Sequence, residues 1–183
     1  MDTNRRPVRR PPLRGVVLAL GLAGALALGS AAPSAGIPRD TAPPSRTWGQ
    51  TQTYSDGLGV TVAQPTPFTP SGTAAGHREG HQAVAWKITL RNGTPEPFKA
   101  ALVSVYAKYG TAGEQAEAVF DSANGVGSSF EGSISPGRSA TVTYVFDIPR
   151  NGTGTLDLEV VPNVFDYEGT HWSGPLNTPA GRS

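Results

Sequence analysis

Two histidines and a glutamate alternate in the segment 77–81, whose sequence is HREGH. On an extended chain alternate residues project from one face, so His77, Glu79 and His81 are expected to point the same way. Two imidazoles and a carboxylate suit zinc or a similar ion and would leave one coordination position open, which His171 would fill if the last strand lies nearby. The three residues are in phase with the outward-facing residues of the next strand, so this metal site would face solvent. The alternative is a polar surface loop, because glycines stand before and within the segment.

A second candidate is the aromatic group near the C-terminus, which comprises Phe165, Tyr167, His171 and Trp172. Exposed rings at Tyr167 and Trp172 would stack on sugars or anchor a protein partner. The competing interpretation is that these residues close an edge of the fold, with Trp172 covering the core. Trp86 occupies the core phase of its strand and is predicted to be structural.

The segment Asp121–Gly125 (DSANG) offers carboxylate and amide oxygens for calcium, but its spacing is not that of a known calcium loop. Hydrogen bonds from an Asx turn explain it sufficiently. The sequence contains no G-x-S-x-G elbow, no phosphate-binding glycine loop and no S-x-x-K motif. We therefore expect no catalytic residues and no cofactor.

Short alternating strands must position all of these side chains. Apolar residues recur with a period of two, and no long segment shows the spacing of an amphipathic helix. The chain has 23 glycines and 17 prolines, and the turns that they form separate the candidate strands about every ten residues, which is typical of a β-sandwich. The pattern predicts an all-β, immunoglobulin-like antiparallel β-sandwich of about seven to nine strands. The strands are expected near residues 50–54, 58–63, 83–90, 102–109, 116–120, 130–134, 140–148, 155–161 and 167–172.

The first 35 residues have the composition of a signal peptide. Five arginines precede an apolar run from Gly15 to Leu28, and small residues follow, which predicts cleavage before Ala35 or Ile37. An uncleaved membrane anchor is the alternative, although the apolar run is short for a spanning helix. The sequence thus predicts a signal peptide at 1–35, a proline-rich linker at 36–48, one sandwich domain at 49–175 and a tail at 176–183.

The charge of the chain changes when the signal peptide is removed. The whole chain carries +1, but residues 1–36 hold five arginines and one aspartate, so the remainder carries −3. Without a basic cluster, neither a nucleic acid nor an anionic membrane is an expected partner. The absence of cysteine excludes disulfides and thiolate chemistry, so the exported domain must be held together by its core.

Several turn and strand-end segments together resemble a known family. They are GQT (49–51) with YSDGL (54–58), PFTPS (67–71), ITLRNGT (88–94) with Pro97-Phe98, VFDS (119–122), and ISPG (134–137). The chain resembles the exported immunoglobulin-like domains of unknown function of Gram-positive bacteria, a group also described as telomeric-repeat-factor-like. The group is similar in fold to the mycobacterial immunoprotective extracellular antigen. The resemblance implies an immunoglobulin-like sandwich without established catalytic residues. Many relatives carry a lipidated cysteine that is missing here, which favours soluble secretion.

The sequence therefore leaves three hypotheses for the function. The first is a secreted or cell-surface, non-enzymatic module that binds a protein or cell-wall partner or serves the cell envelope, and that is expected to be a monomer. The second is a metal-binding module that uses His77, Glu79 and His81. The third is a carbohydrate- or wall-binding module that uses Tyr167 and Trp172.

Overall fold

The structure is a computed structural model, and it describes residues 45–176. Its long strands form where apolar residues alternate with other residues in the sequence. The predicted signal peptide (1–35), most of the predicted linker and nearly all of the predicted tail lie outside the described residues. The central strand β5 buries every second side chain along most of its length, as the period-two pattern predicts. The eleven strands are β1 (Ser45–Thr47), β2 (Thr51–Thr53), β3 (Leu58–Val62), β4 (Thr66–Phe68), β5 (His81–Asn92), β6 (Ser104–Tyr109), β7 (Glu114–Gln115), β8 (Glu117–Ala118), β9 (Ser139–Pro149), β10 (Leu156–Val161) and β11 (Thr170–Gly174).

The strands form two sheets that face each other across one core. The first sheet has the order β1-β11-β10-β6-β7, and the second has the order β2-β3-β5-β9-β8 with β4 also paired to β5. All pairings are antiparallel except that of β1 with β11. The predicted β-sandwich is confirmed. Within residues 45–176 the structure has no helix long and apolar enough to cross a membrane.

Strand β1 is a difference from the sequence prediction, because it lies in the range predicted as linker. Ser45–Thr47 pairs in parallel with β11, and Arg46 donates a 2.8 Å hydrogen bond from Nε to Gln52. Trp48 then packs its ring 6.2 Å from that of Trp86. The sandwich therefore begins before position 49, since these contacts attach the end of the predicted linker to the core.

The strand predicted at 116–120 is also different, because the chain changes sheets there. β7 pairs with β6 in the first sheet, and β8 pairs with β9 in the second. Ala116 lies between them and donates its N–H to the carbonyl of Ala107. Two short edge strands thus stand side by side where one was expected, and they end both sheets on the same side of the sandwich.

Two tryptophans from opposite sheets fill the core. Trp86 on β5 and Trp172 on β11 are both fully buried. Trp86 packs edge-on against Phe146, with ring centroids 5.9 Å apart. The indole Nε1 of Trp172 donates a 2.8 Å hydrogen bond to the carbonyl of Gln50. The predicted structural role of Trp86 agrees with this burial, and Trp172 shares that role.

We expect Trp172→Ala to lower the free energy of unfolding by about 3–5 kcal/mol, because it leaves a large cavity between the sheets. Guanidinium unfolding of the full chain would measure this loss. Phe165→Ala is the matched control, since that ring is 86% exposed and its removal should change stability by less than about 0.5 kcal/mol. Equal losses in the two variants would contradict the burial of Trp172.

Candidate functional site

The two histidines of the HREGH segment meet at a buried carboxylate at one end of the sandwich. Nδ1 of His77 lies 2.6 Å from Oδ1 of Asp147, and Nδ1 of His81 lies 2.7 Å from Oδ2 of the same residue. The side chain of Asp147 is only 1% exposed, and β9 places it beside the start of β5. The first contact has hydrogen-bond geometry, whereas the second is as short but poorly aligned, which leaves Nδ1 of His81 buried without a hydrogen-bond partner.

This geometry differs from the predicted metal site. The side chains of His77 and His81 are only 28% and 25% exposed because both turn onto Asp147, whereas the prediction had them facing solvent. Glu79 is exposed on the loop. His171 lies on β11, where its Nδ1 is 2.9 Å from Oδ1 of Asp157. In the part of the chain that the structure describes, no three histidine, aspartate or glutamate side chains are placed to hold a metal ion.

The cluster of His77, His81 and Asp147 therefore ties a loop to the sheets. Gly76 makes this possible, because it has a φ of +84° and a Cβ there would lie 2.2 Å from the carbonyl oxygen of Ala118. The loop thus crosses β8 with its backbone nearly in contact. An ionised Asp147 needs such donors, since a buried carboxylate without them is strongly destabilising.

The aromatic group near the C-terminus extends to the opposite end of the sandwich, and its rings differ in exposure from the prediction. Because Trp172 is fully buried, the hypothesis that it stacks on a sugar is wrong. Tyr167 is half-buried and donates a 2.5 Å hydrogen bond from its hydroxyl to Oδ2 of Asp56. Its ring makes edge-on contacts with Tyr54 and Phe98, at centroid distances of 4.9 and 6.0 Å. Burial, and secondly the neighbouring Asp56 carboxylate, raise the pKa of Tyr167, so this hydroxyl stays a neutral donor.

The exposed ring at this end is Phe165. It is 86% exposed and its neighbour Val164 is 66% exposed. Asn163 orders the turn that carries them, because its Oδ1 accepts the N–H of Phe165 at 3.0 Å and its Nδ2 donates to Asp166 at 2.6 Å. Leu102, 43% exposed, adds a third apolar side chain, since the strand predicted from 102 begins at Ser104 and Leu102 lies in a turn of 3₁₀ helix.

A groove of about 670 Å³ runs beside Phe165, and we call it the acidic groove. Its wall carries the carboxylates of Asp56, Glu96 and Asp166 and one cation, Lys99. A second groove of about 330 Å³ shares Asp56, Asp166 and Tyr167 with it and adds Glu168. The ion pairs found among residues 45–176 all involve other carboxylates, so no described lysine, arginine or histidine neutralises this wall within 4.0 Å.

The segment Asp121–Gly125 holds a saturated carboxylate. Asp121 is buried and accepts hydrogen bonds from the N–H and the hydroxyl of Ser71, both at 2.7 Å, and from Nδ2 of Asn124 at 2.8 Å. The Ser71 donors, foremost its N–H, hold the pKa of Asp121 below its ordinary value. The predicted Asx turn is not what holds this carboxylate, because Asp121 makes no side-chain cap hydrogen bond to the 3₁₀ turn that follows it. Its bonds from Ser71 instead attach the loop at 71 to the loop at 121.

Comparison with known proteins shows a shared fold. No protein-family model and no curated protein sequence matches the chain. The solved structure of YcdA of Bacillus subtilis, named as a candidate lipoprotein, is similar with a TM-score of 0.55 and 10% identity over 70% of this chain. The chain spans only 39% of the length of that protein. YjhA of Bacillus subtilis is similar with a TM-score of 0.56 and 13% identity, over 69% of this chain and 97% of YjhA.

A secreted protein of Mycobacterium tuberculosis, MPT63, is also similar, with a TM-score of 0.48 and 17% identity over 73% of this chain and 98% of MPT63. At 10% and 13% identity, YcdA and YjhA support a shared fold and nothing finer. Membership of the immunoglobulin-like family resembled by the sequence stays a prediction.

We expect His77→Ala to lower the free energy of unfolding at neutral pH by about 1–3 kcal/mol, because it removes a hydrogen-bond donor from the buried Asp147. Urea unfolding with and without a chelator would measure this. In the control His171→Ala the partner Asp157 is 30% exposed, so the loss should be below about 1 kcal/mol. A loss in the parent chain on adding chelator, absent in His77→Ala, would instead favour a bound metal.

The lowered pKa of Asp121 predicts an acid-dependent contribution to stability. This contribution is present above the ordinary aspartate value of 3.8 and is lost as the pH falls through the lowered folded-state pKa. We therefore expect Asp121→Asn to be less stable than the parent at pH 7 and to approach it as the pH falls below that ordinary value. Unfolding curves across this range would test this, with exposed Glu131→Gln as control. A gap that stays constant with pH would refute the prediction.

Proposed function

We propose that this protein is an exported, non-enzymatic binding module whose acidic groove captures a cationic and partly apolar segment of a protein partner. The observation that carries the proposal is the exposed Phe165 beside three carboxylates that form no ion pair within 4.0 Å among the described residues. Export is inferred from the arginine-rich and apolar first 35 residues.

The apolar part of the argument rests on Phe165. A contiguous exposed apolar patch is typical of an interaction site, and aromatic residues are enriched at the centres of protein interfaces. The Asn163 side chain orders the turn before any partner binds, so little entropy is lost when the ring is covered. Val164 and Leu102 extend the apolar surface next to it.

The charged part of the argument rests on Asp56, Glu96 and Asp166. Three carboxylates against one ammonium make the groove wall negative, and the sequence after residue 36 is negative as a whole. Lysine and arginine side chains are attracted by such a wall, and an arginine can also stack on the face of Phe165. A partner segment that alternates cations with apolar side chains fits both features.

The same geometry supports binding over catalysis. Asp56 uses Oδ1 to accept the N–H of Leu58 at 3.0 Å and Oδ2 to accept the hydroxyl of Tyr167. Asp166 accepts from Asn163. Both oxygens of Asp56 therefore serve as structural acceptors, whereas a general base needs a free oxygen facing its substrate.

The test is binding of a fluorescent peptide of about ten residues that alternates arginine with leucine, measured by anisotropy on the full chain. We expect a dissociation constant in the micromolar range that rises when the salt concentration is raised. Phe165→Ser, and separately Glu96→Gln/Asp166→Asn, should each weaken binding by about tenfold.

Three controls make the test specific. A peptide in which glutamate replaces arginine should not bind. Phe120→Ser removes another exposed ring outside the groove, and Glu114→Gln/Glu131→Gln removes two exposed carboxylates outside it, so both variants should bind normally. Equal binding by the parent chain and Phe165→Ser would refute the proposal, as would equal binding of the two peptides.

A further inference from the structure

A further groove, separate from the two already described, lies on the side of the sandwich, where both sheets end in two-residue strands. It has a volume of about 280 Å³ and runs between β6 and β9, with the rings of Tyr106, Phe120 and Tyr144 in its wall. Another groove of about 380 Å³ lies on the other side of Phe120. Phe120, which is 55% exposed, therefore forms a ridge between two grooves, and we call the pair the lateral grooves.

The ring of Phe120 is held in place before any ligand binds. Its backbone N–H and carbonyl both bond to Ala75 at 2.9 Å, and the next residue is the hydrogen-bonded Asp121. Gly127 packs directly against it, because a Cβ at this glycine would lie 2.9 Å from Cδ1 of Phe120. An exposed ring that is fixed in this way is preorganised for stacking, since little side-chain entropy remains to be lost.

The lining of the lateral grooves carries no charge. Every described residue that lines either groove is apolar, aromatic, glycine, serine or threonine. Thr73, Ser104, Ser122, Ser128 and Ser129 are among the lining residues, and a hydroxyl group can both donate and accept a hydrogen bond. Burial raises the pKa of the Tyr144 hydroxyl, so this group also stays neutral.

This chemistry selects one class of ligand. A charged ligand would lose hydration in the grooves without gaining an opposite charge. A purely apolar ligand would leave the hydroxyl groups without partners. A neutral sugar has C–H faces that stack on aromatic rings and hydroxyls that exchange hydrogen bonds with serine and threonine. Volumes of about 280 and 380 Å³ on the two sides of Phe120 suit small ligand units.

We propose that the lateral grooves bind a neutral oligosaccharide of pyranose rings, which lies across Phe120 with a sugar on either side. This site is separate from the acidic groove and uses neither Tyr167 nor Trp172. Tyr106 gives a second stacking surface, since it is 42% exposed on β6.

The test is a titration of the full chain with cellotriose, chitotriose and maltotriose, followed by amide NMR. We expect at least one trisaccharide to shift the amides of residues 104–106 and 119–129, with a dissociation constant near the millimolar range. Phe120→Ser should weaken this binding by about tenfold, and Phe120→Trp, which keeps a stacking face, should retain it. Gly127→Ala should weaken it without removing a ring, because the added Cβ displaces Phe120.

The two sites are distinguished by reciprocal controls. Phe165→Ser should leave trisaccharide binding unchanged, and Phe120→Ser should leave peptide binding unchanged. Amide shifts confined to the acidic groove, equal binding by the parent chain and Phe120→Ser, or no shift with any trisaccharide would each overturn the proposal. Thermal unfolding of Phe120→Ser checks that a loss of binding is not a loss of fold.

Discussion

Burial of Trp86 and Trp172 between the sheets is the interaction on which the other features depend, because a chain without cysteine has no covalent link between the sheets. Each ring removes about 150–250 Å² from water, a gross gain of about 4–6 kcal/mol. Nε1 of Trp86 is buried and finds no hydrogen-bond partner within residues 45–176, which costs about 1–3 kcal/mol. The packing outweighs this cost, so the core tolerates one unsatisfied donor.

Three aspartates attach the loops to the sheets that this core holds together. Asp147 binds His77 of the 71–80 loop, Asp121 binds Ser71, and Asp56 binds Tyr167. In each case one carboxylate joins segments that are distant in the sequence. The loops are therefore fixed by charge-assisted hydrogen bonds, which are stronger than neutral ones. For this reason rings such as those of Phe120 and Tyr167 keep defined positions without being in the core.

The sequence predicted what alternation encodes and missed what depends on contacts. β3 was predicted to within one residue, and β5, β9 and β10 within a few residues, because their apolar period of two is clear. β1 and β4 were missed, since three polar or proline-containing residues carry no period. His77 and His81 both reach Asp147, but through a turn at Arg78–His81 and not along an extended segment as predicted, and no local pattern shows that Asp147, some 66 residues beyond His81, lies there. Burial of Trp172 likewise depends on the opposite sheet.

The two proposed sites differ in charge, since one is lined by carboxylates and the other by neutral residues. This difference follows from the residues that stand where the strands end. At the acidic groove, Asp56 accepts the backbone N–H of Leu58 and Asp166 accepts the side-chain amide of Asn163, so the turns bring an excess of carboxylates to one end of the sandwich. At the lateral edge, the sheets end on strands too short to cover the interior, and glycine, serine and small apolar residues fill the opening. A cation is favoured at the first surface and loses hydration without compensation at the second. One scaffold can therefore hold a charged and a neutral ligand without competition between them.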